Sequence, residues 1–203
     1  MSGMARIIGL TGQTGAGKTT VSNVLKSKGF DVINCDLVAR EVTQPGTPCL
    51  LKLTEHFGTK ILNGDKSLNR KLLASIVFQD EKELRVLESI IFSYIKAEIQ
   101  HRINTIYMGN TNGVVLDAPT LFESGADSMC NEIISVIAPK HLRRARIMAR
   151  DNIDNAAADA RIASQHEDEF YTKRSQYVLC NDGVQQELIA KAEQLAEQLL
   201  RQR

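Results

Sequence analysis

Gly12-Gln13-Thr14-Gly15-Ala16-Gly17-Lys18-Thr19 is the stretch that decides how this chain is read. It has the pattern Gly, four residues, Gly-Lys and then Ser or Thr, set between an apolar, β-branched run at residues 5–10 and a helical pattern at 20–27. Three glycines let the backbone curl so that successive N–H groups turn inward, and the helix that follows presents its positive end to the same spot. Lys18 adds a full charge suited to the β and γ phosphates of a nucleotide, and the Thr19 hydroxyl is suited to Mg²⁺. A chance glycine-rich turn would not bring Lys-Thr into register with a strand before it and a helix after it. The stretch predicts a strand, a phosphate-binding loop and a helix.

Further apolar runs at 31–34, 114–117, 133–138 and 177–180 read as buried strands, with helical patterns between them. This alternation predicts an α/β fold with a mainly parallel sheet and right-handed crossovers. The last twenty residues form the clearest helix, with Val184, Leu188, Leu195 and Leu199 along one stripe. The interval from about 37 to 113 is longer than one crossover needs, and its periodicity is helical: 50–57, 69–78 and 81–108, with turns at 44–48 and 63–65. It is read as an inserted helical lobe, about 44–112, either extra core padding or the place where a substrate sits beside the strand ends. A second irregular interval, about 140–174, is dense in charge, with Arg143, Arg144, Arg146, Arg150 and Arg161 among Asp151, Asp154, Asp159, Glu167, Asp168 and Glu169. Arg146 and Arg150 share a helix face. The interval is either a mobile lid that folds over phosphates or a solvated helix pairing with Asp151 and Asp154.

Composition agrees with a folded single domain carrying at most a small lobe: 203 residues, 43% hydrophobic and 24% charged. With 25 basic and 24 acidic side chains the net charge is +1, so no global field attracts nucleic acid or an anionic membrane, and neither is expected as a partner. Cys35, Cys49, Cys130 and Cys180 are too widely spaced for a zinc site or a disulfide framework. Together with a first segment too short for a signal or a membrane span, they predict a reducing, cytoplasmic setting. Oligomeric state leaves no trace in the sequence.

Two acids follow predicted strands. Asp36 comes just after 31–34, at the edge where the phosphate loop emerges, and can either take a proton from a substrate hydroxyl or cap the helix at 37–42. Asp117 closes the run 114–117 and is either a carboxylate for Mg²⁺ or a plain strand-end acid.

Taken together, these segments resemble the dephospho-CoA kinase family over most of the chain. The resemblance rests on the loop from Ile8 to Thr20, on Val32-Ile33-Asn34-Cys35-Asp36-Leu37-Val38-Ala39-Arg40, and on Leu68 to Ala74 with Val77-Phe78. It continues through Leu87 to Ile90, Asp117 to Glu123, Arg146 to Arg150, Arg161 to Gln165 and Asn181-Asp182-Gly183. The family implies a P-loop core with five parallel strands, a helical lobe for the coenzyme A precursor, and an Arg-rich lid. Its activity would be transfer of phosphate from ATP to the ribose 3′-hydroxyl of dephospho-CoA, with Mg²⁺ on the donor phosphates. Asp36 would be the base, Lys18 and Arg146 would act on the transferring group, and Gly12 to Thr20 with Arg150, Asn181 and Gly183 would bind ATP. Thr19 and Asp117 would face the metal; Arg70 and Glu123 match family positions on the acceptor side.

The sequence departs from the family pattern at three places. Asn34 stands where the family has an acid, Phe92-Ser93 where it has His-Pro, and Tyr171 where it has a basic residue, with Lys173 and Arg174 nearby. Competing readings are another small-molecule kinase on the same core, acting on a nucleoside monophosphate or a sugar acid, and a nucleotide-dependent switch. The switch lacks an Asn-Lys-x-Asp segment for reading guanine.

Overall fold

A computed structural model describes residues 6–202. Ala5, where the first strand is expected to begin, and the charge and hydropathy of residues 1–5 lie outside the described residues. The strands are β1 (Ile7–Gly12), β2 (Asp31–Asn34), β3 (Val114–Asp117), β4 (Glu132–Ile137) and β5 (Tyr177–Cys180), in the sheet order β2-β3-β1-β4-β5. β1 runs parallel to β3 and β4, and β4 parallel to β5. The runs were legible because the central strands are covered on both faces: Ile8, Leu10, Val114, Val115, Leu116, Ile134 and Val136 are fully buried. β1 reaches two residues past its expected end, since Thr11 and Gly12 still pair with Ser135 and Val136.

The helices are α1 (Lys18–Ser27), α2 (Cys35–Glu41), α3 (Pro48–Phe57), α4 (Arg70–Val77), α5 (Glu81–Tyr107), α6 (Lys140–Asp151), α7 (Asn155–Ala163), α8 (Asp168–Thr172) and α9 (Gln185–Arg201). None is long and apolar enough to cross a membrane. The chain divides into two compact units, Asn34–Thr105 and the remainder. In the sheet unit, α1 and α9 share a core with β1 and β4, through Val21, Val24 and Leu25 on one helix and Leu188, Ala192, Leu195, Ala196 and Leu199 on the other. Val184 departs from its expected place on this stripe: it precedes the first turn of α9 and is 60% exposed, and the small side chains of Ala192 and Ala196 fill the middle of the face instead. The charged interval becomes α6, α7 and α8, with a small core of its own around Ile147, Ala158 and Ile162.

The second unit is helical and buries Cys49, Leu50, Leu53, Phe57, Ile61, Leu73 and Val77, against which Leu84, Leu87, Ile90 and Tyr94 of α5 pack. Thr47 and Asn69 start α3 and α4 by accepting from the backbone N–H of Leu50 and Leu72. The unit begins at Asn34 because the end of α2 is tied into it. Arg70 donates to the Thr43 hydroxyl at 2.6 Å, and Arg102 of α5 pairs with Glu41.

Candidate active site

The loop that joins β1 to α1 is shaped by close approaches that exclude side chains. Gly15 (φ 76°) and Gly17 (φ 106°) lie in the left-handed region, and a Cβ on Gly17 would stand 2.6 Å from Asn181 Nδ2 and 2.8 Å from Leu188. A Cβ on Gly15 would meet the Arg143 carbonyl at 2.8 Å. Within the loop, the Ala16 N–H donates to the Gln13 carbonyl at 3.1 Å and the Thr14 N–H to Gln165 Oε1 at 2.9 Å. The amides of Gly15, Gly17, Lys18 and Thr19 have no partner among the described residues. They form an anion cradle at a helix N-terminus.

Lys18 forms an ion pair with Asp117, whose side chain is 9% exposed at the end of β3. Register fixes this meeting, because Asp117 pairs with Leu10 of β1, two residues before the loop. Thr19 follows Lys18 in the first turn of α1 and is exposed there. No group of three or more His, Cys, Asp or Glu gathers among the described residues. One carboxylate and one hydroxyl fit Mg²⁺, which takes a few hard protein oxygens and completes its shell with phosphate and water.

Arg146 joins the loop to the segment after β5. Its guanidinium lies 3.3 Å from the Gly15 carbonyl, 3.2 Å from Asn181 Oδ1 and 3.4 Å from the Gly183 carbonyl. Asn181 is itself buried and donates to the Ala16 carbonyl at 2.7 Å. Lys18, Arg146, Asn181, Gly183 and the loop therefore converge. Arg150 does not join them: it holds Asp151 with two hydrogen bonds, at 2.8 and 2.9 Å, and Asp151 is shared with Arg161. Asp154 caps α7 through the Ala157 N–H.

Other expected residues are engaged by neighbouring side chains. Gln13 is buried and donates to Asp168 Oδ1 at 2.8 Å and to the His166 carbonyl at 3.4 Å, while its Oε1 is buried without a partner. Glu123 stands 3.5 Å from His166, whose ring stacks on Phe170. Tyr171 is buried, and burial pushes its hydroxyl pKa up. Of the two nearby cations, Lys173 pairs with Glu169, and Arg174 lies over the Phe170 ring at 4.1 Å. The sequence places Arg143 only within the charged interval and Gln165 only within the family resemblance, without a role of its own for either. Arg143 is buried, which lowers its pKa, and it donates to the Ala138 carbonyl at 3.1 Å and to Gln165 at 3.5 Å.

In the helical unit, Asn34 rather than Asp36 caps α2, accepting from the Leu37 N–H at 3.0 Å. The capping alternative for Asp36 is thereby removed. Asp36 is exposed in the first helical turn, and its carboxylate makes no hydrogen bond or ion pair among the described residues. The Asn at 34 performs the same capping an Asp there would. Ser93 bonds its own helix at the Ile90 carbonyl. A cavity of about 440 Å³ opens among Val42, Pro48, Cys49, Tyr94 and Ala97, with Glu41 and Glu98 also in its lining. Arg102 holds both of those carboxylates.

Comparison with known proteins gives this loop and its partners a family. The family model described as dephospho-CoA kinase matches residues 6–187. The chain belongs to the dephospho-CoA kinase family. It is 37% identical to the dephospho-CoA kinase of Moorella thermoacetica, over 87% of this chain and 84% of that one. It is 33% identical to that of Anaeromyxobacter dehalogenans, over 96% and 92%. Among solved structures, the dephospho-CoA kinase of Campylobacter jejuni superposes with a TM-score of 0.71 at 26% identity, covering 96% of this chain and 97% of that one. A shikimate kinase from Acinetobacter baumannii, at 16% identity and a TM-score of 0.51 over 98% and 92%, shares the fold.

Proposed function

We propose that this chain transfers the γ-phosphoryl group of ATP to the ribose 3′-hydroxyl of dephospho-CoA, yielding coenzyme A and ADP. The observation that carries this reading is the cradle of unpartnered loop amides, with Lys18 set on Asp117, in a chain of the dephospho-CoA kinase family. The amides of Gly15, Gly17, Lys18 and Thr19 hold the donor phosphates, and Lys18 exchanges part of its contact with Asp117 for a phosphate oxygen. Arg146, anchored by Asn181 and the Gly15 and Gly183 carbonyls, keeps a positive charge beside that cradle as negative charge shifts to the leaving ADP. Asp36, free of capping duty, accepts the hydroxyl proton while the new O–P bond forms and the bond to the β-phosphate oxygen breaks.

Thr19 and Asp117 would hold Mg²⁺, which when bound neutralises phosphate charge. The helical unit serves as the acceptor lobe and α6 to α8 as the lid, with Arg70 setting the end of α2. The 440 Å³ cavity takes the uncharged arm of the acceptor, so that binding energy far from the reacting atoms helps to orient them. Four free thiols suit the reducing cytoplasm.

Mass spectrometry of products after incubation with Mg-ATP and a panel of dephospho-CoA, adenosine monophosphate and gluconate tests this. Conversion of dephospho-CoA alone to coenzyme A is expected. Phosphorylation of another acceptor instead, or of none, would overturn the assignment.

A further inference from the structure

The segment from Arg161 to Gln165 helped to mark the resemblance, yet none of the roles above uses it. We propose that Gln165 is a catalytic residue whose carboxamide N–H donates to the phosphoryl group in transfer; this rests on the loop being the ATP site.

The orientation of this side chain is fixed by its partners. Gln165 Oε1 accepts from the Thr14 N–H at 2.9 Å and from the Arg143 guanidinium at 3.5 Å. Both partners can only donate, so the oxygen must face them and Nε2 must be the other end. Nε2 has no partner among the described residues, and the side chain is half-buried. Because the two amide atoms share one carbon, Nε2 stands at the rim of the phosphate loop with its hydrogens unspent.

Two further features hold it there. The buried carboxamide of Gln13 reaches in the opposite direction, from the loop to the His166 carbonyl and to Asp168, so the loop and the residues around Gln165 clasp each other twice. Arg143 is too deeply buried, and too occupied by the Ala138 carbonyl, to reach a phosphate itself. Its charge polarises the Gln165 amide and makes the outward N–H a stronger donor. A donor fixed before the reaction, at the place where charge moves, costs no reorganisation when the transition state forms.

The test must separate a donor from a clasp. Gln165→Glu keeps oxygens for Thr14 and Arg143 but loses the donor, whereas Gln165→Met loses both without adding charge. Steady-state kinetics with dephospho-CoA, ADP affinity and thermal unfolding are measured for both variants and the wild type. The expected result is a fall in kcat of about 100-fold in each variant. ADP affinity should stay within about threefold, because ADP lacks the group being transferred, and Gln165→Glu should keep the wild-type melting temperature.

A Gln165→Glu kcat close to wild type would reduce the residue to a clasp and overturn the proposal. So would loss of activity in Gln165→Glu alone, which would report charge repulsion, or a loss of ADP affinity matching the loss of kcat. A wild-type protein that made no coenzyme A would sink the functional reading first, and this inference with it; an active wild type with unaffected variants would sink only the inference.

Discussion

The ammonium of Lys18, at the head of α1, rests on the carboxylate of Asp117, at the end of β3. The pair is nearly closed to solvent, at 19% and 9% side-chain exposure, so removing the cation leaves a carboxylate with little water to compensate it. Lys18→Met should therefore lower stability by about 1–3 kcal/mol as well as reduce kcat/KM for ATP by about 1,000-fold. Adding Asp117→Asn should restore the melting temperature but not the activity. A double-mutant cycle on thermal unfolding would show no coupling if the pair were only apparent.

Asn34 and Asp36 sit two residues apart and should fail in different ways. Asp36→Asn is expected to lower kcat by about 100-fold or more with ATP affinity intact, since the proposed base acts on the acceptor. Asn34→Ala removes the cap on the Leu37 N–H and should cost about 1 kcal/mol of stability, while Asn34→Asp should be nearly neutral. Equal loss of ATP affinity in Asp36→Asn would contradict its assignment to the acceptor.

Gly17→Ala forces a side chain into the left-handed region and against Asn181 and Leu188. Isothermal titration should show ATP binding lost or weakened by more than about tenfold, with a stability cost of about 1–3 kcal/mol. Trimming the neighbour with Asn181→Ala should relieve the collision only in part, because the backbone strain stays and Leu188 is still in place.

Asp151 is held below the usual carboxylate range, first by its hydrogen bond from Arg150 and then by the charges of Arg150 and Arg161. A carboxyl with a lowered folded-state pKa stabilises above its unfolded pKa, and that stabilisation fades as pH falls through the folded value. Asp151→Asn should thus melt below the wild type at neutral pH, and the two curves should converge in acid. A difference that persisted at the lowest pH would point to packing instead of charge.

Much of the fold was written in local pattern, and much of the site was not. β3 coincides with its apolar run because a strand covered on both faces leaves a continuous β-branched stretch, whereas the edge strands β2 and β5, with one buried residue each, follow their runs through β-propensity. The phosphate loop could be read because its glycines and Lys18 answer to one local geometry. The two possibilities for Asp36 could not be separated by spacing, since either Asn34 or Asp36 is a good cap and only the start of α2 at Cys35 decides between them. Arg146 and Arg150 share a helix face, yet a neighbouring Asp151 captures one and leaves the other to the loop. Gln165 meets Thr14 across 151 residues of chain, a contact no periodicity encodes.

The helical unit leaves the sheet unit after Ile33 and hands the chain back at Ile106, so it is one uninterrupted cassette with two splice points. Grafts between relatives have a natural boundary there. Asp36 lies inside that boundary and Lys18 outside it, so a transplanted cassette would carry the proposed base to a host that supplies its own phosphate loop. Under the proposed roles, appetite for a new alcohol and the means to deprotonate it would be inherited in a single piece.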